Sequence, residues 1–150
     1  MPPPDGLFEG EEIVAILSVR YSPGAPTSLD AAPKPGINRP SVAQRHAYAH
    51  WSRHAAAIGF PLAGPEMILG VTQERLLVWS PTFIRSRPGR FAGAIPLSRI
   101  QRAGVHRRFF ASVLTLLFEN ASIVGVETLR TSRLRRFAKT IPSYTEYKSR

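Results

Sequence analysis

After residue 66 the chain alternates short apolar runs with short polar breaks. The runs are Met67 to Val71, Arg75 to Ser80, Phe91 to Pro96, Ile100 to Arg107, Ser112 to Glu119 and Ser122 to Glu127. Each has the length of a strand and a strand's share of β-branched and aromatic residues. Turn-forming residues separate several of them, notably Ser80-Pro81, Pro88-Gly89 and Glu119-Asn120-Ala121-Ser122. One more strand is expected near the start, over Glu11 to Arg20, whose core "IVAIL" is continuously apolar. Regular short strands favour a barrel or sandwich over alternating α/β architecture.

Two helical patterns interrupt the strands. Tyr48, Trp51, Ala55 and Ile58 share one face of a helix expected over about 41 to 58, with Ser41 able to cap its start and Gly59 and Pro61 ending it. Leu134, Phe137, Ala138 and Ile141 form an apolar stripe over residues 131 to 141, with Arg133, Arg135, Arg136 and Lys139 on the other faces. Thr131 or Ser132 can cap this second helix and Pro142 stops it. The stretch from Tyr21 to Pro40 holds five prolines, which cannot donate ladder hydrogen bonds, and is read as loop.

The break at Thr72-Gln73-Glu74-Arg75 reads as a tight hairpin turn. The Thr72 hydroxyl can bond the turn backbone, Gln73 and Glu74 face water, and Arg75 reaches across the turn or onto a neighbouring strand. Gly70 marks a bulge or a close backbone approach.

Three motifs in order, "GEEIVAIL", "GVTQERLLVWS" and "IPLSRI", followed by "SVLTLLFENASIVGVE" and "TSRLRRFAKTI", resemble bacterial pleckstrin-homology-like and GRAM-like domains. The resemblance covers residues 9 to 141 apart from a long insert at 21 to 66. It implies a mainly β fold: a seven-stranded, bent antiparallel barrel capped by a C-terminal α-helix, here with a helical insert after the first strand. The chain then divides into a disordered N-terminus (1–10), one domain (11–141) and a tail (142–150).

Composition changes the functional picture. The 150 residues contain no cysteine, which excludes disulfides and thiolate metal sites. No apolar stretch approaches the roughly 20 residues of a membrane span. Met1-Pro-Pro-Pro-Asp lacks the pattern of a signal peptide, so a cytoplasmic location is expected, with peripheral attachment at the inner face of the membrane as a variant. The net charge of +10 is lopsided: residues 1–75 hold six Lys/Arg and seven Asp/Glu, residues 76–150 fourteen and three. That asymmetry points to an anionic partner, or to Arg-rich coding, since seventeen of the twenty cations are Arg.

Candidate chemistry is sparse. His46, His50 and His54 recur every fourth residue, but on a helix they drift about 40° per step and span about 12 Å, too far to share one tetrahedral ion. No metal site and no cofactor is therefore expected. No nucleophile elbow, phosphate-binding glycine loop or paired-carboxylate motif appears, so no catalytic residue is assigned and an enzyme is not expected. Two basic clusters remain. Arg85, Arg87 and Arg90 lie in the third inter-strand connection. In the resembling family that loop borders the open end beside the loop after the first strand, which here carries Lys34 and Arg39. These five are the candidate anionic-lipid or phosphate-binding residues. The second cluster, Arg107 and Arg108 with the terminal-helix cations, is expected at the opposite, capped end. Phe109 and Phe110 should face opposite sides of a strand, leaving at least one in the core. The expected role is a non-catalytic interaction module that binds a protein partner, through Tyr48 and Trp51 unless packing on the barrel hides them, and/or associates weakly with anionic membrane surfaces. The alternative is a basic nucleic-acid-binding protein.

Overall fold

A computed structural model describes residues 4–22, 40–82, 87–108 and 110–145, with the side chains of 40–46 and 108 left out. Seven strands form one antiparallel sheet: β1 (Ala15–Tyr21), β2 (Glu66–Val71), β3 (Arg75–Pro81), β4 (Pro88–Pro96), β5 (Ile100–Arg108), β6 (Ala111–Phe118) and β7 (Ile123–Thr128). Their order across the sheet is β4-β3-β2-β1-β7-β6-β5. Helix α1 (Pro40–Ala57) lies between β1 and β2, and α2 (Thr131–Ala138) follows β7. All strands and both helices fall within a few residues of the sequence expectation, except that β1 starts four residues later.

The expected closed barrel is not formed. Strands β4 and β5 are the two edges, and no pairing joins them among the described residues. The local cause is visible. Pro96 ends β4, a single 3-10 turn (Leu97–Arg99) redirects the chain, and β5 then pairs with β6. The outer edge of β5 is taken instead by the segment after α2: the Ala103 amide donates to Ser143 O at 3.2 Å, and the Thr145 amide to Ala103 O at 3.0 Å. A short parallel bridge thus occupies the place a closing strand would need.

One apolar core fills the concave side. It joins Leu76 and Ile95 near one edge to Ala103 and Leu116 near the other, through Leu17, Val19, Leu69, Val124 and Val126. Both helices contribute, α1 with Trp51 and Ala55, α2 and its continuation with Leu134, Phe137, Ala138 and Ile141. The stripes read from 3.6-residue spacing are therefore the packed faces. Helix α2 ends at Ala138, sooner than expected, but turns at Lys139 and Thr140 still deliver Ile141 to the core. Its start also differs. Arg130 is at the N-cap position with no side-chain cap, because the Thr131 hydroxyl lies 2.7 Å from that of Ser112 instead.

Strands β2 and β3 are buried on both faces. Their outer face carries a second cluster, Ile68, Leu77 and Trp79, covered by Leu7, Ile13, Phe91 and Ala94. Residues 5–8, expected to be disordered, thus hold specific contacts: the Trp79 indole donates to Asp5 O at 2.8 Å, and the Arg75 guanidinium to Gly6 O at 2.7 Å. Residues 9–13, expected partly as strand, belong to the same strap. At Gly70 the reading of a close approach holds without a bulge, since the β1–β2 and β2–β3 registers run unbroken. A Cβ there would stand 2.5 Å from the Trp79 ring.

Two stability outcomes follow from this packing. Phe137→Ala removes a ring that is 2 % exposed and should cost about 3–5 kcal/mol in urea unfolding. Gly70→Ala should cost about 1–3 kcal/mol by displacing Trp79, and a quenched or shifted indole emission in the folded variant would report the displacement directly.

Candidate functional site

The polar centre at the β2–β3 turn is the clamp around Arg75. Its guanidinium grips both carboxylate oxygens of Glu11, through Nε at 3.0 Å and through a second, shorter bond from Nη2. The Thr72 hydroxyl donates to Glu11 Oε2 at 2.9 Å and accepts from the Arg75 amide at 3.0 Å. The Phe8 amide donates to Glu11 Oε1 at 3.0 Å, and the Arg75 guanidinium lies 3.8 Å from the Phe8 ring centroid. The expected turn role of Thr72 is thus observed, and Arg75 crosses not to a strand but to the N-terminal strap. These bonds, led by that from Arg75, hold the Glu11 carboxyl down at about 2. A carboxylate whose oxygens are all engaged by its own chain has no free lone pair aimed at a substrate. The clamp is structural.

The five predicted anion-binding residues are not all within view. Lys34, Arg39 and Arg85 lie outside the described residues. Arg87 and Arg90 are exposed at the start of β4. The neck of their loop is tied by Thr82 Oγ1 donating to Arg87 O at 3.0 Å and by the Arg90 amide donating to Ser80 Oγ at 2.9 Å.

The insert helix turns its aromatic face inward. Trp51 is buried and donates its indole N–H to Gly125 O at 3.0 Å, within a group formed with Tyr21, Tyr48 and Phe60. Trp51 is therefore part of the core, and Tyr48, half-buried, packs against it. His54 is 2.9 Å from Ile123 O, a carbonyl that can only accept, so Nε2 carries the proton there. His50 is exposed, the His46 side chain lies outside the described residues, and no cluster of metal-ligating side chains occurs among those described.

The second basic cluster is fully folded. Arg107 at the end of β5, and Arg130, Arg133, Arg135, Arg136 and Lys139 on and beside α2, are exposed. None is in an ion pair among the described residues, whereas Glu11, Glu119 and Glu127 are paired with Arg75, Arg99 and Arg20. A cleft of about 630 Å³ opens where β1 parts from β7. Thr82, at the neck of the first basic loop, and Leu129, Arg130 and Arg133, at the start of α2, line it together. The neck of the first basic loop and the first turn of α2 thus border one cleft. Sequence reasoning passed over Leu129. Its only signal was an apolar residue between Thr128 and Arg130 that belongs to neither the strand pattern nor the helical stripe. Phe110 is exposed, and Phe109 lies outside the described residues.

No protein-family model and no curated protein matches the chain. Among the described residues no helix is long and apolar enough to cross a membrane.

The clamp makes a pH-dependent contribution whose sign is set by Glu11. Its folded value, about 2, lies below the ordinary value of 4.5, so the stabilisation is complete above about pH 4.5 and fades as pH falls toward 2. Glu11→Gln should cost on the order of 1–2 kcal/mol at neutral pH, because the pair is bidentate and largely shielded from water. Urea unfolding of both proteins from neutral to acid pH should show that difference shrinking toward zero below pH 4.5.

Proposed function

We propose that this protein is a non-catalytic interaction module of pleckstrin-homology/GRAM-like type that attaches weakly to anionic membrane surfaces. The sequence resemblance, together with seven antiparallel strands followed by a packed C-terminal helix, supports the class. The observation that carries the surface is the disposition of charge. Of the described carboxylates in the second half of the chain, Glu119 and Glu127 both lie beside arginines, while the α2 arginines project from a helix whose apolar stripe is already committed to the core. Arginine forks suit lipid phosphates, and each cation held near an acidic surface adds about 1 kcal/mol.

Co-sedimentation with vesicles of phosphatidylcholine, with and without phosphatidylserine, tests the proposal. Binding is expected only with the acidic lipid, and should fall steeply between about 0.1 M and about 1 M salt as the screening length drops from about 10 Å to about 3 Å. Arg135→Ala with Arg136→Ala should weaken it by about thirtyfold, from about 2 kcal/mol for the pair. Absence of binding to acidic vesicles at low salt overturns the proposal. A salt-sensitive shift of a random-sequence oligonucleotide without vesicle binding would replace it with the nucleic-acid reading.

A further inference from the structure

Two large apolar side chains stand out from the described surface: Phe110 is 90 % exposed and Leu129 is 77 % exposed. They come from different connections, the β5–β6 turn and the β7–α2 corner, yet the sheet brings them to one end. Arg108 pairs with Ala111 at the hairpin tip, and Ser112 faces Thr128 across β6 and β7, strands that lie about 4.8 Å apart. The Ser112 and Thr131 hydroxyls, 2.7 Å apart, tie the hairpin base to the first turn of α2. Phe110 is two residues before Ser112, and Leu129 directly follows Thr128.

Cations surround this apolar pair. Arg107 precedes the tip on β5, Arg130 follows Leu129, and Arg133 lines the same cleft as Leu129 and Arg130. Two carboxylates line that cleft as well, Glu66 exposed on β2 and Glu127 largely covered and 4.0 Å from Arg20 Nε, against Arg20, Arg130 and Arg133. An exposed phenyl ring and an isobutyl group beside exposed arginines that are in no ion pair among the described residues match a bilayer interface: acyl carbon below, phosphate at the level of the guanidinium groups. A protein groove could take the apolar pair, but the surrounding charge favours a surface dense in anions.

We propose that this end of the sheet is the part of the molecule that enters the membrane, with Phe110 and Leu129 inserted among the acyl chains and Arg107, Arg130 and Arg133 on the headgroup phosphates. The assignment rests on the membrane-attachment reading above. It adds a depth and an orientation that charge alone does not supply. The β5–β6 hairpin points into the bilayer and α1, on the far side of the core, points away.

The test uses acidic vesicles and the full chain. Phe110→Ala with Leu129→Ala removes no core contact, so the variant folds, and its partition onto acidic vesicles should fall about tenfold or more. In parallel, Phe110→Trp places an indole at the tip, while Trp51 and Trp79 stay buried. Its emission should shift to the blue on binding and be quenched by lipids brominated on the acyl chain. If the wild-type chain does not bind acidic vesicles, both proposals fall. If it binds and the double Ala variant binds equally, or the Phe110→Trp indole is not quenched in the bound state, insertion is overturned and surface attachment survives. Capture of the tip by a protein partner in place of the vesicle would overturn it as well.

Discussion

A curved sheet that does not close must have its concave face covered by something other than its own strands. In this protein β4 and β5 stay apart, so the apolar residues of seven strands would face water if the two helices did not lie over them. Trp51 and Ala55 fill the space beside Tyr21 and Phe60, and Leu134, Phe137 and Ile141 fill the space between β1, β5 and β6. Burying one such side chain contributes about 1.5–3 kcal/mol, more than any surface ion pair in the molecule could. The helices are structural because the sheet is open. An aromatic face on α1 that looked available for a partner is consumed by the same requirement.

The outer face of β2 and β3 raises the same problem on a smaller scale. Ile68, Leu77 and Trp79 point away from the main core, and a strand pair apolar on both sides needs a second cover. The strap from Asp5 to Ile13 supplies it, and the Glu11–Arg75–Thr72 clamp fixes the strap at the β2–β3 turn. Gly70 belongs to the same device, since the Trp79 ring lies where its Cβ would be. The polar break between two apolar strands is thus more than a turn: its first residue caps the turn backbone, and its last anchors a segment 64 positions away in the chain.

The strands after Met67 were legible because antiparallel hairpins are local and turn residues punctuate them. The absence of alternation in "MILGV" and "LLVW" carried the two-sided burial, but nothing local named its cover. Leu7 and Phe8 sit among glycines and acids and read as a frayed end, and only the structure pairs Glu11 with Arg75. Closure was misjudged for a related reason. Whether β4 meets β5 depends on where Pro96 and the 3-10 turn send the chain, and on Ser143 and Thr145 reaching the edge of β5 first. Local grounds put the N-cap of α2 at Thr131 or Ser132; the cap position falls on Arg130 instead, and the Thr131 hydroxyl meets that of Ser112. The apolar corner was invisible for want of register, since residues 110 and 129 become neighbours only once Ser112 is known to face Thr128.

That corner also shows packing prevailing over electrostatics. The first turn of α2 has no acidic residue and no side-chain cap, and Arg130 and Arg133 stand at the positive end of the helix. Capping preference would put Ser or Asp at the N-cap, and the helix dipole disfavours cations there by about 0.3–1 kcal/mol each. The helix forms regardless, because Leu134 and Phe137 are buried and each outweighs one such penalty. The stripe that buries them also decides where the cations go: with Leu134, Phe137 and Ala138 facing the sheet, Arg133, Arg135 and Arg136 have only the outer surface left. The outward placement of these arginines is therefore imposed by the core. The fold neither needs its charge nor is protected by it, so arginines can be removed from this face without unfolding the domain, which is what allows surface attachment to be tested separately from stability.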